Sequence, residues 1–248
     1  MSNSALVNYT KISPCNSGKR TLKIDRITPH CVVGQASVEG LGTLFQNYSK
    51  KTSANYGIGS DGRVGLYVDE DKRSWCSSSN ANDQRAVTIE CASDNKAPYA
   101  MNGAVYDKLV KLCVDICKRN GKKKLLWLGD KTKTLDYAPK SDEMILTVHR
   151  WFANKACPGE WLYGRLGELA NAVTKELNPV EVNTGVIYRV QIGAFSKKEN
   201  AEALAKQARA KGFSAIVVPY IKGDVDGDGK VTAADAREAL RIATGIEK

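Results

Sequence analysis

"TVHRWFANKACPGEWL", residues 147–162, holds the transition on which the fold turns. Just upstream and overlapping it, "MILTV", residues 144–148, is a short apolar run of the kind that makes a buried strand. Pro158 suits the first position of a helix. Downstream, Leu162, Leu166, Leu169, Val173 and Leu177 recur at a spacing that places them on one helical face. A strand, a short loop and an amphipathic helix are read in that order. His149 ends the strand and Cys157 stands just before the helix, in a chain with only 2 histidines and 7 cysteines.

Upstream, "LKIDRITPHCVV", residues 22–33, reads as a strand interrupted by a proline, with His30 near its end. Val38, Leu41, Leu44, Phe45 and Tyr48 recur at helical spacing. "NYGI", a Ser-Asp-Gly turn and "RVGLYV" read as a hairpin. "AVTIECAS", residues 86–93, is another strand, a helix covers about 102–119, and "KLLWL" is a further strand. Strands and helices mixed in this way predict an α/β domain over 1–178, a central mixed β-sheet flanked by helices. A linker is expected over 179–186. Residues 187–221 read as one small β-α-β unit: the alternating "IYRVQIGAF", an Ala-rich helix opened by a Ser196–Glu199 capping box and closed by Gly212, and the strand "FSAIVVPY". Residues 222–248 carry an EF-hand-like calcium loop and a helix.

The net charge is +10, and residues 1–180 hold 26 Lys and Arg against 18 Asp and Glu. Such a surface favours polyanions, among them nucleic acid, anionic lipid and teichoic acid. The densest basic run, "KRNGKKK" at 118–124, is read as a helix end, an Asn-Gly turn and a strand start, without the aromatic setting of a nucleic-acid module. No apolar run is long enough to cross a membrane. Neither nucleic acid nor membrane is expected as a partner. The N-terminus shows no secretory signal pattern, so synthesis in the cytoplasm and release before action are expected. Mostly reduced cysteines follow from the same reading.

Zinc favours imidazole and thiolate ligands, and a catalytic site uses three protein ligands with one position open. His30, His149 and Cys157 can supply that set. Cys113 and Cys117, four apart on a helix, are read as core, and Cys31 should point to the face of its strand opposite His30. In the tail, "DVDGDGKVTAAD" puts Asp224, Asp226, Asp228 and Asp235 at loop positions 1, 3, 5 and 12, with Gly229 at 6 and the Lys230 carbonyl following it. This is an oxygen-rich pattern suited to calcium.

"TVHRWFANKACPGEWLY", the upstream "ITPHCVV", the hairpin "SANYGIGSDGRVGLYV" and the strand "VTIEC" together resemble the zinc-dependent N-acetylmuramoyl-L-alanine amidase family, which includes phage T7 lysozyme and the peptidoglycan recognition proteins. The resemblance spans roughly residues 5–178. It implies His30, His149 and Cys157 as zinc ligands, with peptidoglycan as substrate. It further implies Glu90 as the group that moves the proton, and Lys155 as a cation for the developing oxyanion. Tyr56 matches a tyrosine near the metal in some members, and is equally read as a core-facing strand residue. Asn55 stands where family members often have a histidine. "YRVQIGAFSKKENAEALAKQARAKGFSAIVV" resembles the sporulation-related repeat, SPOR, which implies binding to glycan strands of the wall. The acidic loop resembles a dockerin calcium loop, but a single copy argues against docking to a cohesin.

The leading expectation is a phage endolysin or bacterial autolysin that cuts between N-acetylmuramic acid and L-alanine. The alternatives are a non-catalytic peptidoglycan receptor on the same fold, a scaffold protein docking through the calcium tail, and a cysteine hydrolase using Cys157 and His149. Retention of Cys157 argues against the receptor.

Overall fold

A computed structural model of the chain describes residues 2–179, 193–225 and 227–244. The chain divides into two units, Met1–Glu181 and Val182–Lys248. The strands of the first unit are β1 (Val7–Thr10), β2 (Asn16–Lys19), β3 (Arg26–Cys31), β4 (Tyr56–Ile58), β5 (Val64–Leu66), β6 (Lys72–Ser74), β7 (Ala86–Cys91), β8 (Lys124–Leu126) and β9 (Glu143–Leu146). Its helices are α1 (Val38–Leu44), α2 (Asn80–Arg85), α3 (Gly103–Arg119), α4 (Lys131–Asp136), α5 (Gly159–Tyr163) and α6 (Leu166–Leu177). Seven strands form one sheet in the order β1-β5-β4-β7-β3-β9-β8, while β2 and β6 pair as a separate antiparallel ribbon. Only the β4–β5 hairpin is antiparallel within the large sheet. This is the mixed α/β architecture expected from the sequence.

The two faces of the sheet differ in chemistry. Ile27 and Cys31 of β3 and Val87, Ile89 and Cys91 of β7 join one apolar cluster with Leu109, Leu112 and Ile116 of α3 and Leu166, Leu169 and Val173 of α6. The alternate residues, Arg26, Thr28 and His30 of β3 and Thr88 and Glu90 of β7, fall on the other face. Asn82 ties this polar face together. Its Nδ2 donates to Thr28 Oγ1 at 3.0 Å, its Oδ1 accepts from Thr147 Oγ1 at 3.0 Å, and the two threonine hydroxyls lie 2.7 Å apart. Further along this face Leu41 and Phe45 pack with Tyr67. A Cβ on Gly57 would lie 2.7 Å from Leu41 and 2.8 Å from Tyr67, so glycine is what lets α1 approach.

Pro29 sits inside β3 without breaking the sheet. The pairing of β3 with β9 covers only Arg26 and Ile27 and has ended before the proline, while pairing with β7 runs through to Cys31. Proline is tolerated where one side of a strand has lost its neighbour.

Tyr56 is a correction to the family-derived expectation. It pairs with Ile89 rather than Glu90, which turns its side chain to the apolar face, fully buried. There its hydroxyl donates to Glu70 Oε1 at 2.6 Å and accepts from the Ser4 amide at 2.8 Å. Arg119 Nη1 donates to Glu70 Oε2 at 2.8 Å, so this buried polar lock fastens the N-terminal segment to α3. Two smaller differences also appear. The helical spacing through Tyr48 ends early, since α1 stops at Leu44 and Tyr48 lies exposed in a separate 3-10 turn. The helix expected from Pro158 is two helices, α5 and α6, with Pro158 as the N-cap. The basic run 118–124 is, as read, the end of α3, a turn with Gly121 at φ +67°, and the start of β8.

The second unit contains α7 (Lys198–Ala210) and α8 (Ala233–Thr244). Gly212 follows α7 with φ +86°, its amide donating to Arg209 O at 2.9 Å, as expected of a helix stop. The capping box does not form: Lys197 is the N-cap, without a side-chain hydrogen bond. "FSAIVVPY" is not a strand among the described residues, and Phe213, Ile216, Val218 and Tyr220 are exposed. Residues 187–192 of the other expected strand lie outside the described residues, as does most of the expected linker.

Candidate active site

Strand register builds the site. His30 and Glu90 are opposite each other in β3 and β7, and therefore point the same way. His30 is fully buried, and its Nδ1 lies 3.8 Å from Glu90 Oε1 and 3.3 Å from Cys157 Sγ. His149 follows β9 in a single 3-10 turn, His149–Trp151, rather than ending the strand itself. The His30 and His149 rings lie 5.0 Å apart at 61°. Ligand-type atoms of His30, His149 and Cys157 all lie within 4.8 Å of one another, and His30, Cys76 and Glu90 form a second such group around the same imidazole.

The supporting contacts explain how these side chains are held. The Arg150 amide donates to Cys157 O at 3.1 Å, bending the loop back toward His149. Gly159, two residues after Cys157, has φ +82°, and a Cβ there would lie 2.8 Å from Pro98 O. Only glycine meets both conditions without strain. Ser78 Oγ lies 3.0 Å from His149 Nε2. The loop bearing Ser78 is fixed by Asp83, whose carboxylate accepts the Cys76 and Ser77 amides at 3.1 Å. Cys76 Sγ lies 3.7 Å from Glu90 Oε1. Cys31 points into the apolar cluster as expected from alternation, and its thiol also meets Cys157 at the end of the sheet.

Burial dominates the electrostatics. It raises the Glu90 carboxyl to about 7, a value suited to exchanging protons near neutrality. It also holds His30 well below the ordinary histidine range, followed by the influence of His149. His149 is lowered by burial and then by the Lys155 charge. The Cys157 thiol is held far above its ordinary range by its hydrogen bond with Cys31, then by burial, then by Glu90. Neutral imidazoles offer lone pairs to a cation, and a cation held there would stabilise the buried thiolate in exchange for the thiol's proton.

The donor set fits zinc. With metal–nitrogen and metal–sulfur bonds of about 2.0 and 2.3 Å, the N···S edge of a tetrahedral site is about 3.5 Å; the His30–Cys157 separation is 3.3 Å. Glu90 keeps one buried carboxylate oxygen without a partner among the described residues. A groove of about 620 Å3 opens beside His149, flanked by Lys155, Lys50, Lys51, Arg73 and Trp75. Lys155 is exposed at its edge.

The acidic tail loop stands apart from this chemistry. Asp224 accepts the Gly227 and Gly229 amides at 2.8 and 2.9 Å, and Asp228 accepts the Lys230 amide at 2.8 Å. Asp235, 2% exposed, accepts the Val225 and Thr232 amides at 2.7 and 2.6 Å. Asp226 lies outside the described residues. Among the described residues the metal-capable groupings are the two around His30.

Ser78 and the Asn82–Asp83 pair stand outside the motifs that point to the site, and Cys76 has no assigned partner in the sequence. The available signal was "CSSSNANDQR", residues 76–85, a Ser/Asn cluster of the kind that caps a short helix. Ser79 does cap α2, accepting from the Asn82 amide.

Residues 20–160, more than half of the chain, match the N-acetylmuramoyl-L-alanine amidase family, and residues 184–245 match the SPOR domain, through the acidic loop and into α8. The sporulation-specific N-acetylmuramoyl-L-alanine amidase of Bacillus subtilis (strain 168) is 38% identical over 66 residues, 27% of this chain and 26% of that protein. The N-acetylmuramoyl-L-alanine amidase CwlM of Bacillus licheniformis is 47% identical over 49 residues, 20% of this chain and 19% of that protein. The chain thus matches about a quarter or less of the length of these curated relatives. The hydrolase AmiA of Staphylococcus aureus, solved with its ligand, aligns over 68% of this chain and 82% of its own, with 11% identity and a TM-score of 0.46.

Proposed function

Because the chain belongs to the N-acetylmuramoyl-L-alanine amidase family, we propose that it hydrolyses the amide between the muramoyl lactyl group and L-alanine of peptidoglycan, as an endolysin or autolysin. The observation that carries the reading is the His30–His149–Cys157 trio with Glu90 beside it on a polar sheet face. Zinc, held by those three residues, would supply a Lewis acid that polarises the amide carbonyl and brings the pKa of water toward ~7.

The chain's own residues do the rest. Glu90 accepts the proton of the attacking water and returns it to the departing L-alanine nitrogen, so one carboxyl serves as base and then acid. Its elevated pKa makes both halves of that exchange feasible near pH 7. Lys155, at the groove edge, faces the negative charge that builds on the carbonyl oxygen. Ser78 occupies His149 Nε2, which leaves the other ring nitrogen for the metal. A thiolate mechanism through Cys157 is disfavoured, because the thiol is held protonated without a cation.

Residues 184–245 are read as a wall-binding SPOR segment that keeps the enzyme on its polymer. Within it, calcium held by Asp224, Asp226, Asp228, the Lys230 carbonyl and Asp235 would order the tail; hydrogen exchange of 222–244 that calcium leaves unchanged would rule this out.

The test of the main reading pairs zinc content with wall hydrolysis. One zinc per chain, and new amino groups without new reducing ends, are expected from purified peptidoglycan. Both zinc and amine release should vanish in Cys157→Ala. Zinc without hydrolysis of any wall would instead favour a non-catalytic receptor.

A further inference from the structure

Across the Ser78–Ser79 ridge from the first groove lies a second, of about 520 Å3. At its floor is Arg26, which opens β3 on the same face as Thr28 and His30, about 13 Å along the strand from His30. Arg26 is only 5% exposed. Among the described residues its guanidinium makes one hydrogen bond, Nη1 to Asn82 Oδ1 at 3.2 Å, and its Nε has no partner. Asp25, the adjacent acid, is engaged by Arg85. Burying a cation without a counter-charge is costly, and a buried polar group left unsatisfied calls for a reason. The guanidinium fork matches carboxylate or phosphate oxygens two at a time. Lys131 adds a second positive charge at the exposed rim, and Trp151 and Phe152 form an apolar wall. The groove shares Ser78 with the reaction centre.

We propose that this groove is a subsite for an oxyanion, carboxylate or phosphate, carried by the wall substrate, with Arg26 as the anchor and Lys131 at the rim. The identity of the carrier rests on the amidase reading; the anion site itself does not. Arg26 is then a binding residue whose unpaired state is its resting form. Substrates bearing the anion gain affinity from a charge already desolvated.

The test uses the full chain, Arg26→Met and Lys131→Ala, with inorganic phosphate and acetate as probes in calorimetric titrations. Saturable anion binding is expected, weakened about tenfold or more in Arg26→Met and a few-fold in Lys131→Ala. Arg26→Met should also resist denaturant better than the parent, since an unpaired buried charge is replaced by an apolar chain of similar length. Amine release is then compared on walls with their phosphodiester polymers intact and on walls stripped of them by acid. A KM increase about tenfold larger on the intact walls assigns the anion to phosphate. An equal increase on both assigns it to a carboxylate of the peptidoglycan itself. Anion binding unaltered by Arg26→Met, or a destabilised Arg26→Met with unchanged anion binding, overturns the proposal and makes Arg26 structural. If Arg26→Met does not fold, anion binding unaltered in Lys131→Ala has the same force. Absence of amine release from every wall by the parent protein counts against the amidase reading alone.

Discussion

Replacing Glu90 with glutamine should stabilise the metal-free protein, and the gain should grow with pH. Glu90 is raised from the ordinary 4.5 to about 7, chiefly by burial, with a side chain only 17% exposed. Between those two values the folded protein keeps a proton that the unfolded chain has released. Stability therefore falls as pH rises through this window, and the loss is complete above about pH 8. At about 1.4 kcal/mol per pH unit, the gap amounts to roughly 3 kcal/mol. Glutamine has nearly the same shape and no charge to desolvate, so it escapes the penalty. Urea unfolding with a chelator present, from pH 5 to 8.5, should show Glu90→Gln and parent nearly equal at the acid end. At the alkaline end the variant should lead by roughly 3 kcal/mol. Zinc should narrow the difference by stabilising the carboxylate beside it. A lead that does not vary with pH would refute the argument, since it would assign the gain to packing.

Other outcomes follow from the same geometry. Zinc affinity should rise about tenfold per pH unit across pH 6–8, one proton leaving Cys157 on binding, as measured by chelator competition. Lys155→Ala should lower kcat by about 100-fold or more with a smaller change in KM, in single-turnover amine release. Tyr56→Phe should keep amine release while losing about 1 kcal/mol of stability to denaturant, because its hydroxyl serves Glu70 and Ser4. Gly159→Ala should cost about 1–2 kcal/mol for the left-handed backbone alone, with a further loss from the contact with Pro98 O. Its bound zinc should fall along with its denaturation midpoint.

What the sequence disclosed tracks the range of each interaction. The strand runs around Ile27, Ile89 and Leu146 and the helical faces of α3 and α6 are periodic, and periodicity is local information. The trio His30, His149 and Cys157 stood out because imidazole and thiol chemistry is distinctive and histidine is scarce here. Tyr56 shows where local reading ends: its role depends on pairing with Ile89 instead of Glu90, and a shift of one residue swaps the face. Arg26, Thr28 and Thr147 resemble exposed strand positions in the sequence, yet all are buried, because loop 75–85 covers the polar face and Asn82 satisfies the two threonines. Ser78 and Cys76 had no signal of their own; they matter through contacts with His149 and Glu90, which lie 71 and 14 residues away. In the tail, alternation in "FSAIVVPY" predicts a strand that does not form among the described residues.

The contact between His30 and Cys157 joins positions 127 residues apart. At a synthesis rate of roughly 5–20 residues per second, the ribosome needs roughly 6 to 25 s to deliver the second after the first. For most of that interval a growing chain carries one imidazole of the trio, the second arriving with His149 shortly before the thiol, and until Cys157 is made the centre lacks its third ligand. On the amidase reading, truncated products ending before Cys157 would be inert for the same reason. On the amidase reading, activity would arrive late and all at once, because the third ligand is the last part of the centre to be made.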